Sequence, residues 1–167
     1  MQQPTRFIRE LQQVKDEGKT RTFRHGQPAV AIGGPGGNLF FIGMEGSGRK
    51  TLAQAAGGLL KLAVVEAASP EALAEALGKT GQAVAVTGAD LTDAETVAAL
   101  REGGKVFYLM SLAPLLAERL NAPGRLSELA DRAASLEPCF MAAAHFILPV
   151  AATLEEMLAD VAEKAGL

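Results

Sequence analysis

The 167-residue chain has no tryptophan, one tyrosine and one cysteine. With so few large aromatic side chains, it offers no platform for stacking nucleic-acid bases. The lone cysteine, Cys139, excludes an internal disulfide and is typical of a reducing compartment. The only other residues of the types that hold zinc through nitrogen or sulfur are His25 and His145. The sequence therefore contains no set of zinc ligands at the usual spacing.

The sequence also lacks an excess of basic charge and any long apolar run. Its formal net charge is −3 at pH 7, so the chain has no excess of positive charge with which to bind the phosphates of a nucleic-acid backbone. No stretch is long and apolar enough to span a bilayer, and the charged N-terminus is not typical of a secretory signal. We therefore expect a soluble, cytoplasmic protein with neither a membrane nor a nucleic-acid partner.

Short apolar runs alternate with helical patterns after an N-terminal extension (residues 1–37). In that extension the apolar spacing of residues 5–16 predicts a helix, residues 30–32 an edge strand, and the following glycines a linker. Strands are then predicted at 39–42, 62–65, 83–86, 105–110 and 146–150, and helices at 49–60, 70–78, 92–102, 114–120, 125–134 and 154–164. Continuous apolar strands between helices predict an α/β domain over residues 38–167, with a central parallel sheet covered by helices on both faces.

The segment NLFFIGMEGSGRKT (residues 38–51) joins the first of these strands to a glycine-rich turn and a helix. In that order, backbone N–H groups and the helix N-terminus create a site for phosphate. The glycines at 43, 46 and 48 allow the turns and the close approach that phosphate needs. The segment therefore predicts that ATP or ADP, or another phosphate ligand, binds here. The alternative is a turn that only connects strand to helix.

Two residues depart from the pattern G-x-x-x-x-G-K-[ST] of phosphate-binding loops. Arg49 stands where Lys belongs, and its planar guanidinium is aimed differently from an ammonium. Lys50 stands where a hydroxyl would hold magnesium, so a cation replaces a neutral metal ligand. We expect Lys50 to neutralise phosphate itself and predict no magnesium site. The candidate phosphate-binding residues are Gly43, Gly46, Ser47, Gly48, Arg49, Lys50 and Thr51.

From about residue 38 onward the chain resembles shikimate kinase, a small P-loop kinase. Besides the loop, the resemblance is carried by AVAVTGADLTDAETVAALREGGKVFYLMSLAPLLAERL and LEPCFMAAAHFILPVAATLEEMLADV. It implies the three-layer P-loop kinase fold, with a parallel sheet flanked by helices. Members of the family transfer the γ-phosphate of ATP to shikimate, so the resemblance also implies ATP as a cofactor.

The family's active-site residues match this chain poorly. Its Asp-x-Asp pair falls at Glu66 and Ala68, and Glu66 is either a retained carboxylate or a solvated strand end. Its triple glycine falls at residues 88–90. Only Gly88 survives there, as an additional candidate for contact with the phosphate ligand, and Asp90 is expected to cap the next helix. Its substrate-binding Arg falls at Leu136. The resemblance therefore leaves the catalytic residues unassigned.

The family's substrate-closing subdomain and its lid are both shortened in this chain. Arg119 and Arg125 lie near the remnant of the lid, where they either approach phosphates or act as solvated charges at helix ends. Cys139 is expected to be buried, and His145 to be packed or half-exposed rather than a general base. The alanine-rich helices fit close packing in a homo-oligomer, but alanine is also simply a good helix former.

Three functions remain open on this basis. The first is binding of a phosphate or nucleotide without efficient magnesium-dependent phosphorylation of shikimate. The second is an active ATP-dependent kinase for shikimate or a different small acceptor. The third is a non-enzymatic interaction protein that retains the loop as a relic.

Overall fold

A computed structural model describes residues 37–150 and 152–166 of the chain. Its sheet has five strands: β1 (Asn38–Gly43), β2 (Ala63–Ala67), β3 (Gln82–Val86), β4 (Gly104–Met110) and β5 (Phe146–Pro149). All four strand pairs are parallel, and the order is β2-β3-β1-β4-β5. Strand β1 is therefore central, and the chain leaves it at the point where the strand order reverses, which is where ligands bind in sheets of this kind.

Helices cover both faces of the sheet. They are α1 (Arg49–Leu60), α2 (Pro70–Leu77), α3 (Ala94–Gly103), α4 (Ala113–Arg119), α5 (Leu126–Ala143) and α6 (Leu154–Ala165), with a 3-10 turn at Pro123–Arg125. One apolar cluster joins the sheet to α1 and α6, and the other joins it to α2, α3, α4 and α5. The predicted three-layer α/β architecture is confirmed. No helix in these ranges is long and apolar enough to cross a membrane.

The start of β1 is fixed by a buried amide. Asn38 Oδ1 accepts hydrogen bonds from the backbone N and from Nε2 of Gln82, each 3.1 Å long. Its Nδ2 donates to the carbonyls of Lys79 (2.9 Å) and Gly103 (3.1 Å). A buried polar group is tolerated because it is fully paired, and these four bonds tie β1 to the chain on either side of it.

Helix α5 differs most from the sequence prediction, which ended this helix at residue 134. It runs for 18 residues and passes through Pro138. Pro138 and Ala134, whose carbonyl loses its helical partner, both lie on the exposed side, where water can replace the missing bond. Leu129, Phe140 and Ala143 are buried on the other side, so packing on both sides of the proline holds the helix together.

The remaining predicted strands and helices are present, and their ends differ from the prediction by at most two residues. Strand β2 begins and ends later than the predicted 62–65, and α3 begins at Ala94 rather than residue 92. The predicted helix at 5–16 and strand at 30–32 lie outside the described residues. The domain boundary near residue 37 therefore stays a prediction.

Lys105 is a buried lysine on β4. Its Nζ donates to the carbonyls of Lys164 (2.9 Å) and Ala165 (3.2 Å), so it caps the end of α6. Burial lowers the pKa of Lys105 from its ordinary value of 10.5 to about 8.

Lys105→Met should reveal this burial as a pH dependence of stability. Between pH 8 and 10.5 the unfolded chain binds more protons at this lysine than the folded chain does. The free energy of unfolding of the wild type, relative to the variant, should therefore rise through this window by about 3 kcal/mol at most. Urea unfolding at several pH values measures the difference. Lys79→Met, which removes an equal charge at an exposed lysine, is the control. A difference between the wild type and Lys105→Met that does not change with pH would contradict the prediction.

Candidate phosphate-binding site

The glycine-rich loop (residues 43–48) joins the end of β1 to the start of α1. Gly46 (φ 84°) and Gly48 (φ 96°) have left-handed backbones that other residues adopt at a cost. Ser47 N donates to Met44 O (3.1 Å), which closes a tight turn. Gly48 caps α1 without a side chain, and the first turn of α1 contains no acidic residue. The first N–H groups of α1 are thus available to an anion.

A cavity of about 340 Å³, here called the loop cavity, opens at this turn. It brings together five of the seven predicted phosphate-binding residues with Thr87 and Arg119; the five are Gly46, Gly48, Arg49, Lys50 and Thr51. Ser47 is buried, and its Oγ has no hydrogen-bond partner among the described residues. Gly43 lines a neighbouring cavity instead.

Lys50 is paired with Glu66 at the edge of the loop cavity. Its Nζ lies 3.4 Å from Glu66 Oε1, and Glu66 Oε2 accepts a 3.0 Å hydrogen bond from Thr87 Oγ1. The hydroxyl of Thr87, followed by Lys50, lowers the pKa of Glu66, so this carboxylate is ionised at neutral pH. Sequence reasoning left Glu66 open between a retained carboxylate and a solvated strand end. It lies at an exposed strand end, and Lys50 is its partner.

Magnesium does not fit this arrangement. Mg²⁺ takes oxygen ligands in a near-octahedral shell, whereas an ammonium stands where the loop pattern has a hydroxyl. The carboxylate nearest to it is paired with that ammonium.

Arg49 is anchored to the sheet. Its guanidinium is partly buried, and Nη1 donates to Val86 O (2.9 Å) at the end of β3. Burial lowers the pKa of Arg49, and the neighbouring carboxylates of Glu45 and Glu66 oppose that shift. The Arg49 side chain lines both the loop cavity and the neighbouring cavity that Gly43 lines. Its remaining N–H donors are therefore shared between these two cavities.

The two predicted lid arginines have different surroundings. Arg119 lines the loop cavity, and its Nη1 donates to Ser47 O (3.2 Å) and Gly46 O (3.4 Å). Arg125 is bound instead to Glu45 and Glu128. Of the two, only Arg119 lines the loop cavity.

Gly88 has a structural reason to be glycine. Its N donates to Ala67 O (3.0 Å), and a Cβ at this position would overlap the carbonyl group of Ala68. Close contact between the ends of β2 and β3 thus requires glycine whether or not a ligand binds.

Three smaller expectations can be compared with the structure. Asp90 does not cap α3: its Oδ1 accepts hydrogen bonds from Thr92, and Asp93 is the cap because the helix begins later than expected. Cys139 is only partly buried, because it lies on a side of α5 that the core does not cover completely. His145 Nδ1 accepts a 3.0 Å hydrogen bond from Val106 N, which gives it a packing role.

Sequence reasoning missed Glu45 and Arg132. Both line a second cavity of about 360 Å³, here called the α5 cavity, together with Arg49, Leu136 and Phe140. Arg132 lies four residues before Leu136 on α5, so the two share one face of the helix. This four-residue spacing is the feature of the sequence that could have indicated Arg132 as a neighbour of Leu136. It was missed because α5 was predicted to end at residue 134.

The fold is similar to that of solved shikimate kinases. The enzyme from Acinetobacter baumannii, in complex with shikimate, has a TM-score of 0.70 and 16% identity, over 81% of this chain and 93% of that chain. The shikimate kinase of Bacteroides thetaiotaomicron has a TM-score of 0.63 and 15% identity, over 78% and 98%. The YorR protein of Bacillus subtilis, solved in complex with phosphorylated GDP, has a TM-score of 0.58 and 12% identity, over 76% and 94%.

No protein-family model and no curated protein matches the sequence. At such low identities the likeness shows the fold alone. The resemblance to shikimate kinase is confirmed at that level: the chain has a P-loop kinase α/β fold.

Gly88→Ala tests whether this glycine is structural. Because a Cβ would overlap the Ala68 carbonyl, we expect the substitution to lower the free energy of unfolding by about 1–3 kcal/mol. Gly58→Ala is the matched control, because a Cβ added at this position of α1 would meet open space; it should stabilise by about 0.5–1 kcal/mol. Urea unfolding measures both, and a neutral Gly88→Ala would make this residue a candidate for ligand contact again.

Proposed function

We propose that this protein binds the phosphate groups of a nucleotide, ATP or ADP, in the loop cavity without magnesium. In this proposal it does not phosphorylate shikimate efficiently. The observation that carries the proposal is the ion pair between Lys50 and Glu66, 3.4 Å apart, because it puts a cation where the loop pattern calls for a metal ligand.

The loop supports phosphate binding for reasons that do not involve a metal. The left-handed glycines at 46 and 48 bring backbone N–H groups close to a ligand, and the start of α1 adds a positive partial charge. Arg49, Lys50 and Arg119 line the same cavity and supply charged donors. Lys50 is more than half exposed, so its ammonium can exchange Glu66 for a phosphate oxygen.

The same arrangement argues against phosphoryl transfer. In P-loop enzymes the metal bridges phosphate oxygens and neutralises the developing charge. Lys50 supplies one positive charge where magnesium supplies two, and it cannot bridge oxygens as a metal does. Leu136 occupies the position where the resemblance implies a substrate-binding Arg, and an apolar side chain cannot replace its charge-assisted contact.

One structural neighbour supports a nucleotide as the ligand class. The YorR protein, with the same fold, was solved in complex with phosphorylated GDP. We extend the ligand class, not the identity of the base, to this chain. The possible roles of Gly43, Ser47 and Thr51 belong to the same proposal.

Calorimetry with ADP and with ATP, in EDTA and in excess magnesium, tests the proposal. We expect binding in EDTA that magnesium does not strengthen. Lys50→Met should weaken it about tenfold, because a charge-assisted hydrogen bond is lost. Lys50→Ser restores the hydroxyl of the loop pattern and should make binding depend on magnesium. Lys61→Met, at the other end of α1, removes an equal charge and should leave the affinity unchanged.

Three results would contradict the proposal, each in a different way. Binding strengthened by magnesium, with release of ADP when shikimate is added, would indicate an active kinase. Release of ADP with another small acceptor would indicate a kinase of altered specificity. No binding of either nucleotide, by protein that unfolds cooperatively, would favour an interaction protein with a relic loop.

A further inference from the structure

A groove runs between α2 and α3 on one face of the sheet. It consists of two cavities, of about 480 Å³ and about 360 Å³, which share Leu77 and Ala99. We call it the α2–α3 groove. It has no lining residue in common with the loop cavity. Its apolar lining comes from both helices and from the chain after β3, through Pro70, Leu73, Ala74, Leu77, Ala89 and Ala99.

Acidic side chains line the α2–α3 groove along its length. Lys79 also lines the smaller cavity, but its Nζ lies 3.5 Å from Glu75 Oε2 and is paired with that carboxylate. The groove therefore favours an apolar partner that carries positive charge. The carboxylates that line it are those of Asp90, Asp93, Glu95 and Glu102.

The first described residue, Gly37, lies at one end of this groove. A Cβ added to Gly37 would be 3.2 Å from Thr80 Cβ, and Asn38 Nδ2 donates to Lys79 O (2.9 Å). Both Lys79 and Thr80 line the smaller cavity. Residues 1–36 lie outside the described residues, but the point at which they join the domain is beside this cavity.

Residues 5–16 match the groove in length and in apolar character. They are predicted to form a helix, and twelve helical residues are about 18 Å long, against about 15 Å for the ten residues of α3 beside the groove. So short a helix is only marginally stable by itself in water, so it needs an apolar surface to pack against. Its apolar side chains repeat on one side at helical spacing and are Phe7, Ile8, Leu11 and Val14.

Charge and covalent linkage favour this segment over a separate partner. Residues 1–36 carry six basic and three acidic side chains, a formal net charge of +3, whereas residues 37–167 carry ten and sixteen, a formal net charge of −6. Residues 17–36 connect the predicted helix to the domain and can span up to about 66 Å, which exceeds the length of the groove. A segment tethered in this way has an effective concentration on the order of millimolar, which a second copy or another protein would have to exceed.

We propose that residues 5–16 bind as a helix in the α2–α3 groove of the same chain. Their apolar side packs against Ala74, Leu77 and Ala99, and their basic side chains lie near the carboxylates of the groove. This is helix-in-groove recognition within one chain. It covers an apolar surface that α2 and α3 leave partly exposed. The proposal does not depend on nucleotide binding in the loop cavity.

Disulfide capture in the full chain tests the proposal. Cys139→Ala first removes the native cysteine. Val14→Cys is then combined with Ala74→Cys or with Ala99→Cys, which place the second thiol on one helix or the other of the groove. Equilibrium with a glutathione buffer measures the effective concentration of the two thiols. For at least one of these two pairs it should be about tenfold higher than for Val14→Cys combined with Ala98→Cys.

Ala98→Cys is the matched control, because Ala98 precedes Ala99 on α3, is exposed and lines neither cavity of the groove. A second comparison tests the apolar side of the predicted helix. Adding Leu11→Asp should reduce the effective concentration to the value of the Ala98→Cys control. Gln13→Asp adds the same charge on the opposite side of the helix and should keep most of the gain.

Three results would overturn the proposal. Equal effective concentrations for the groove pairs and for the Ala98→Cys control would show that the segment does not bind in the groove. Equal losses from Leu11→Asp and Gln13→Asp would show that the apolar side of the helix does not make the contact. Disulfide-linked dimers, with a yield that rises with protein concentration, would place the segment on a second copy of the chain.

Discussion

The burial of strand β1 is the constraint on which the rest of the structure depends. All six of its residues are buried, with β3 on one side and β4 on the other. The fully bonded Asn38 fixes where the strand begins, and packing on both faces fixes its path. The chain must therefore leave β1 at one place, the reversal point of the strand order, and the glycine-rich loop begins there. The ends of β2 and β3 reach the same edge, which brings Glu66 and Thr87 to the loop.

This convergence explains why Lys50, which departs from the loop pattern, is paired with a residue of another strand. Lys50 is sixteen residues from Glu66 in the sequence, but parallel strands end at a common edge, so the ammonium and the carboxylate meet. The pair satisfies both charges at little cost, because both side chains remain partly solvated.

The sequence predicted the order and type of the elements from residue 38 onward, because buried parallel strands appear as continuous apolar runs and the loop has a recognisable pattern of glycines. It predicted the ends of elements less well. The predicted end of α5 at residue 134 was wrong, because the buried Leu129 and Phe140 on either side of Pro138 hold the helix together beyond that residue. Gly88 was considered for ligand contact, whereas its need for glycine arises from the carbonyl of Ala68 on another strand. Such contacts depend on how strands pack and are not visible in local sequence.

Glu45 shows the same limit at the candidate site. A carboxylate in a phosphate-binding loop looks unfavourable when the sequence is read alone, and its partners lie 80 and 87 residues away along the chain. In the folded protein, Lys50 is matched by Glu66, and Glu45 by Arg125 and Arg132. These charged groups around the loop are thus paired within the protein. An anion that binds to Lys50, Arg125 or Arg132 must replace a carboxylate of the protein. Its affinity for these side chains is therefore set by the difference between the two ion pairs.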